Sequence, residues 1–271
     1  MRNRERAGEL LAEELRLAGL RSAFLAQMSH ELRTPLNGIL GYTRNLLLGG
    51  GLAEKQIAGL NIIQDSGEHL LFLINGILDH AAIEADKFEL TYGEIRLEEF
   101  LSTLIGIIRV KAEEKNISFT CDVDAALPAV VRGDMQRLRQ VLLNLLSNAV
   151  KFTDHGEVML RVRSDGPSRI RFEVKDTGIG IDPEQMERIF LPFEQVGEKN
   201  RRSGGNGLGL SISRKLVQLM GGDIKVESQL GRGSIFSIEI DIEPLKSDGS
   251  EIDVKALSEQ SITRTVCDAS Q

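Results

Sequence analysis

An apolar residue recurs every three or four positions at Leu11, Leu15, Ala18, Leu25, Leu32, Leu36, Ile39 and Leu46. That spacing lays a stripe along one side of a helix and demands a partner helix. Only serines hold the stripe positions 22 and 29. The stripe stops at Gly49-Gly50-Gly51, a run no helix keeps. It resumes over about 53–88, at Ile57, Leu60, Leu71, Ile74, Leu78, Ala81, Ala85 and Phe88, with Gln64 and Gly67 interrupting it. Two long helices with a short turn between them form a hairpin, and one hairpin cannot bury two wide apolar stripes. Two copies can, as a four-helix bundle, so a homodimer is expected from the periodicity alone. Residues 1–22, rich in Arg, Glu and Leu, read as a coiled-coil linker into a hairpin domain of 23–90.

His30 lies one residue past a stripe position, about 100° around the helix, and is expected at the flank of the bundle within reach of solvent. Pro35 removes a backbone donor and should bend the helix just after it. Glu31 adjoins the histidine, and a carboxylate there can hold one imidazole tautomer and strengthen the other nitrogen as a nucleophile. Thr34 brings a hydroxyl one turn further on.

Past about Tyr92 the texture changes. Helical stretches near 97–115 and 134–151 alternate with β-type runs at 117–123, 157–163, 169–175, 223–228 and 234–242. Such alternation predicts a domain of about 91–243 in which helices cover one sheet. Residues 244–271 read as a polar tail or linker. A net charge of −7 leaves no electrostatic footprint for nucleic acid. Cys121 and Cys267 have no metal-ligand spacing and read as reduced thiols, which makes a cytoplasmic location the expectation. No apolar run is long enough to span a bilayer and no signal peptide is visible at Met1.

Three features of the second domain suit a nucleotide. Asn144 and Asn148, four apart, share a helix face whose amide oxygens suit Mg²⁺, and Lys151 adds a charge for phosphate. Asp176-Thr177-Gly178-Ile179-Gly180 puts a carboxylate at a strand end, where it can accept from an exocyclic amine such as adenine's, beside glycines that let the backbone approach a base. Gly204-Gly205-Asn206-Gly207-Leu208-Gly209 opens a helix, where free N–H groups can face phosphate. Its spacing is neither that of the dinucleotide fingerprint nor that of a Walker A loop.

His30-Glu31-Leu32-Arg33-Thr34-Pro35-Leu36 resembles the phosphoacceptor box of two-component sensor histidine kinases. The three downstream features resemble the N, G1 and G2 boxes of the GHKL ATPases, which have the Bergerat fold, a two-layer α/β sandwich. Phe190-Leu191-Pro192-Phe193 resembles the intervening F box, and Gly231-Arg232-Gly233-Ser234 the closing glycine box. Asn206 stands where Thr is common and Asp86 where Gly is common. The resemblance covers roughly residues 20–242. It implies that ATP sits with adenine on Asp176, beside Gly178 and Gly180, and with its phosphates under Gly205, Gly207, Leu208 and Gly209. Asn148, helped by Asn144, is then expected to hold Mg²⁺, with Phe193, Lys151, Arg201 and Arg202 lining the site. It implies further that His30 takes the γ-phosphoryl group with Glu31 as base, and passes it to the receiver domain of a response regulator. In the family the residue at the offset of Thr34 helps hydrolyse the regulator's aspartyl phosphate. A sensor domain is expected to lie outside this chain. Two other readings stay open: a catalytically silent ATP-binding scaffold, and a clamp-type ATPase with no use for His30.

Overall fold

A computed structural model describes residues 31–85, 88–166, 168–194, 207–245, 252 and 254–261. The chain divides into two compact units, residues 1–89 and 90–271.

In the first unit, helix α1 covers residues 31–49 and α2 covers Glu54–Glu84. α1 runs unbroken through Pro35 and ends at the glycine run, where Gly50 and Gly51 take left-handed φ. Gln56 closes the start of α2 by accepting from the Ala53 N–H. α2 ends four residues earlier than the apolar rhythm suggests, at Glu84 rather than Phe88. Gly67 has a packing reason: a Cβ there would lie 2.7 Å from Leu40 Cδ2, so the glycine admits the α1 side chain. Leu36, Ile74 and Ala81 are buried within the hairpin, whereas Leu32, Ile39, Leu46 and Ile57 of the same stripes stay exposed.

The second unit is built on a five-stranded sheet, ordered β2-β4-β5-β7-β6. Its strands are β2 (Ser118–Val123), β4 (Glu157–Ser164), β5 (Arg169–Asp176), β6 (Asp223–Gln229) and β7 (Gly233–Asp241). The β2–β4 pair is parallel and the others antiparallel. Helices α3 (Leu97–Glu114), α4 (Met135–Phe152) and α5 (Gly209–Leu219) pack on one face. There Val158, Leu160, Val162, Phe172 and Val174 are fully buried. The alternate residues of the same strands form an ionic layer on the open face. Arg161 pairs with Asp122 and Glu173, Arg163 with Asp122, and Arg171 with Asp165 and Glu239.

A small antiparallel sheet, β1 (Gly93–Arg96), β3 (Val130–Gly133) and β8 (Glu243–Pro244), lies outside the sequence expectation. Its strands are two to four residues long, too short for a two-residue period to register. Asp134 ties the incoming chain to α4: Oδ1 accepts from Arg137 N at the N-cap and Oδ2 from Thr91 N. At the other end of α4, Lys115 Nζ donates to the carbonyls of Val150, Lys151 and Thr153, an ammonium on the negative end of the helix.

The reading of everything past Pro244 as a polar tail is corrected for the segment around α6 (Val254–Ser261). α6 packs on β2 and α3, and Ile252 and Leu257 are buried. It covers the edge of β2 that lacks a strand partner, and burial pushes the Cys121 thiol on that strand up to about 12. Val254, Ala256 and Leu257 are the apolar residues of α6, too few and too unevenly spaced to announce such a helix.

Leu257 is 1 % exposed and Leu230 is 62 % exposed. Leu257→Ala should therefore cost about 3 kcal/mol of unfolding free energy, and Leu230→Ala close to nothing. Urea unfolding of both variants checks this; equal midpoints would mean that α6 does not pack as described.

Candidate functional site

The site is assembled along one face of α4. Asn144, Asn148 and Phe152 follow one another at intervals of four, so they line one ridge of the helix. The adjoining stripe of α4, Leu138, Val141, Leu142, Leu145, Leu146 and Ala149, is buried and holds that ridge in place.

At the far end of the ridge, the Phe152 carbonyl accepts from Ile179 N at 3.3 Å. A Cβ on Gly178 would overlap that same oxygen, so only glycine lets the turn after β5 close on α4. Asp176, which ends β5, is 6 % exposed. Its Oδ1 accepts from Gly178 N at 2.8 Å and Ser234 N at 3.3 Å. Neither bond uses Oδ2. Burial pushes the Asp176 carboxyl up from the ordinary carboxylate range, against the downward pull of those two N–H groups. Thr177 Oγ1 accepts from Glu157 N at 2.9 Å and locks the turn to β4. Ile181 N donates to Ser228 Oγ, and Gly231 N to the Ile179 carbonyl, which joins the turn to the β6–β7 hairpin.

At the near end, Asn144 Nδ2 donates to Ser213 Oγ at 2.9 Å, and the amide rests on Gly209 at the start of α5. Leu208 precedes α5 and is buried. Phe193 N donates to the Gly207 carbonyl at 3.0 Å, and both residues adopt left-handed φ, 65° and 69°. A Cβ on Gly207 would come within 2.6 Å of the Phe193 carbonyl carbon. Arg214 of α5 stacks over the Phe190 ring at 4.9 Å. The F-box and G2-box segments thus meet.

Between these ends stands Asn148, half-buried, with no hydrogen-bond partner among the described residues. A hard oxygen donor on an open ridge, beside a helix start, fits Mg²⁺ as a ligand. Lys151 is half-buried, and burial holds its ammonium below the ordinary lysine range. No cluster of three acidic, histidine or cysteine side chains that could hold a metal exists among the described residues.

The structure therefore gathers Asn144, Asn148, Lys151, Asp176, Gly178, Gly180, Phe193, Gly207, Leu208 and Gly209 on one domain. Gly205, Arg201, Arg202 and His30 lie outside the described residues. Glu31 and Thr34 are both exposed on α1 in the other unit. Sequence reasoning assigns no site role to Ser213, and to Ser234 only a place in the closing glycine box. The signal for Ser234 was its place directly after Gly233; for Ser213, only the buried side of a short helix.

Comparison with known proteins adds to this geometry. Residues 133–244 match the family of histidine kinase-, DNA gyrase B-, and HSP90-like ATPases, and residues 20–86 match the His Kinase A (phospho-acceptor) domain. Hybrid signal transduction histidine kinase B of Dictyostelium discoideum is 43 % identical over 80 % of this chain and 11 % of its own length. Circadian input-output histidine kinase CikA of Synechococcus elongatus is 44 % identical over 87 % of this chain and 32 % of its own. The chain thus spans about a tenth to a third of these curated relatives. Full-length ShkA, solved in complex with AMPPNP, superposes with a TM-score of 0.66 at 38 % identity, over 82 % of this chain and 46 % of ShkA. The Acinetobacter baumannii histidine kinase AdeS shares the fold, with a TM-score of 0.54 at 22 % identity over 78 % of this chain and 97 % of its own.

Gly180 and Gly231 both take left-handed φ, 68° and 78°. A Cβ on Gly180 would overlap the Gln229 carbonyl, while one on Gly231 meets no described atom within 4 Å. Alanine at either position should cost about 1 kcal/mol for the backbone, and only Gly180→Ala should also lose nucleotide binding. Thermal unfolding and ADP titration of both variants check this.

Proposed function

Because the chain belongs to the two-component sensor histidine kinases, we propose that it is an ATP-dependent autokinase that phosphorylates His30 and hands the phosphoryl group to an aspartate of a response-regulator receiver domain. The observation that carries the reading is the α4 ridge, with a buried carboxylate fixed at one end, a glycine-opened helix start at the other and an unpartnered amide between them.

Each residue then has a defined task. The Asp176 Oδ2 accepts from the exocyclic amine of adenine, since Oδ1 already serves two backbone donors. Gly178 and Gly180 keep side chains away from the base. The N–H groups at the start of α5, around Gly207, Leu208 and Gly209, face phosphate oxygens. Asn148 is the residue that would hold Mg²⁺, which supplies charge neutralisation at the phosphates. Lys151, Arg201 and Arg202 add positive charge, and Phe193 and Gly205 border the same site. Glu31 takes the imidazole proton as the His30 nitrogen attacks phosphorus, and the β-phosphate oxygen leaves with ADP. Thr34 orients the water that hydrolyses the regulator's aspartyl phosphate.

The homodimer belongs to the same proposal. Leu32, Ile39, Tyr42, Leu46 and Ile62 leave a large apolar surface on the hairpin, and a second copy covers it in a four-helix bundle. Light scattering should show a dimer for the full chain and a monomer for a chain beginning at Tyr92; a monomeric full chain at micromolar concentration would refute it.

Incubation with γ-labelled ATP tests the chemistry. The wild type should carry label that His30→Gln abolishes, and Asp176→Asn and Asn148→Asp should each lose most of it. Free phosphate without labelled protein would make the chain an ATPase of another kind. Glu31→Gln should label at least tenfold more slowly, while Thr34→Ala should label almost normally and dephosphorylate a regulator more slowly. Equal loss of both rates in Thr34→Ala would remove Thr34 from the second reaction.

A further inference from the structure

The amide of Asn144 is oriented from two sides. Its Nδ2 donates to Ser213 Oγ at 2.9 Å, and Ser213 is 2 % exposed. Its other face lies on the first residue of α5. A Cβ added to Gly209 would collide with Asn144 Oδ1 and come within 3.0 Å of Cγ and 3.1 Å of Nδ2. Gly209 and Ser213 are one helical turn apart. The amide therefore packs flat on the first turn of α5 and is hydrogen-bonded to the second. α4 and α5 meet closely at this place.

We infer that Ser213 is a positioning residue of the nucleotide site: its hydroxyl holds Asn144 as a strut that sets the spacing between the α4 ridge and the start of α5. The inference rests on the nucleotide reading above. Asn148, one turn along the ridge, carries the metal-facing amide, and the N–H groups ahead of Ser213 face the phosphates. Both must address one triphosphate, so the distance between α4 and α5 is a catalytic dimension. Asn144 spans it. A side chain occupied between two helices serves the nucleotide whether or not a metal is bound, which separates this role from that of a metal ligand. The absence of a Cβ at Gly209 has the same origin, because the amide fills that space.

Calorimetric titration of the full chain with ADP, once in Mg²⁺ and once in EDTA, tests the strut. The proteins are wild type, Ser213→Ala, Asn144→Ala and the double variant, each with its thermal midpoint. Each single change should weaken ADP about three- to tenfold, the worth of one neutral hydrogen bond. The factor should be the same with and without metal, and the double variant should be no weaker than the weaker single. Three results would overturn the strut: unchanged ADP affinity beside a lowered midpoint, additive losses in the double variant, or a loss confined to Mg²⁺, which returns Asn144 to the metal. Should Asn144→Ala not fold, Ser213→Ala alone decides, through the equality of its losses in Mg²⁺ and EDTA at an unchanged midpoint. A wild-type chain that binds no ADP in either buffer would instead refute the nucleotide reading itself.

Discussion

A carboxylate cannot be taken out of water at the end of a sheet unless donors go with it. Asp176 meets that condition through two backbone N–H groups, from Gly178 in its own turn and Ser234 on the neighbouring strand. Much of the local architecture follows. The turn must double back tightly enough to present Gly178 N, which brings it onto the Phe152 carbonyl and excludes a Cβ. β7 must begin close enough to present Ser234 N, and a Cβ on Gly233 would overlap the Asp176 carbonyl oxygen. Glycines at these places are consequences of satisfying one charge.

The hairpin and the sheet domain reach stability by different routes. Within the second unit the helices and one sheet face close over fully buried Phe119, Phe172, Leu101, Leu142 and Leu146. The hairpin buries far less of its stripe by itself, and residues such as Tyr42, 76 % exposed, remain uncovered. A pair of helices offers each stripe only one neighbour, whereas a sheet face offers each helix several strands. The unit that carries the phosphoacceptor box is thus the one that leaves more of its apolar surface uncovered.

Legibility in the sequence followed the strength of periodic signals. α3, α4 and the five long strands were readable to within a residue or two because each repeats its apolar period several times. β1, β3 and β8 were not, since two to four residues complete only one or two periods. α6 escaped because a helix that buries little more than Leu257 has almost no stripe. At the site, Asp176, Asn148 and the glycines stood out as residue types in a spacing. Ser213 did not, because nothing in a sequence states which hydroxyl on a buried helix side faces an amide 69 positions earlier.

The ionic layer on the open face of the sheet bears on a question that the apolar face leaves undecided. Alternation of apolar and polar residues forbids a strand to slide by one position, since every side chain would change faces, but it is indifferent to a slide of two. β4 and β5 pair with Arg161 opposite Glu173. The same register sets Arg163 opposite Arg171. Displacing β5 so that Arg161 meets Lys175 brings Arg163 opposite Glu173 and keeps that balance, whereas the opposite displacement sets Arg161 opposite Arg171 and Arg163 opposite Arg169, cation on cation twice. Each such encounter is worth only about 0.2–1 kcal/mol. That is small for stability, yet it is applied where otherwise nearly equivalent alignments compete. Exposed charges with little claim on the melting temperature thereby oppose the slide in one direction, and the Thr177 hydroxyl, which accepts from Glu157 N just past Asp176, opposes it in the other.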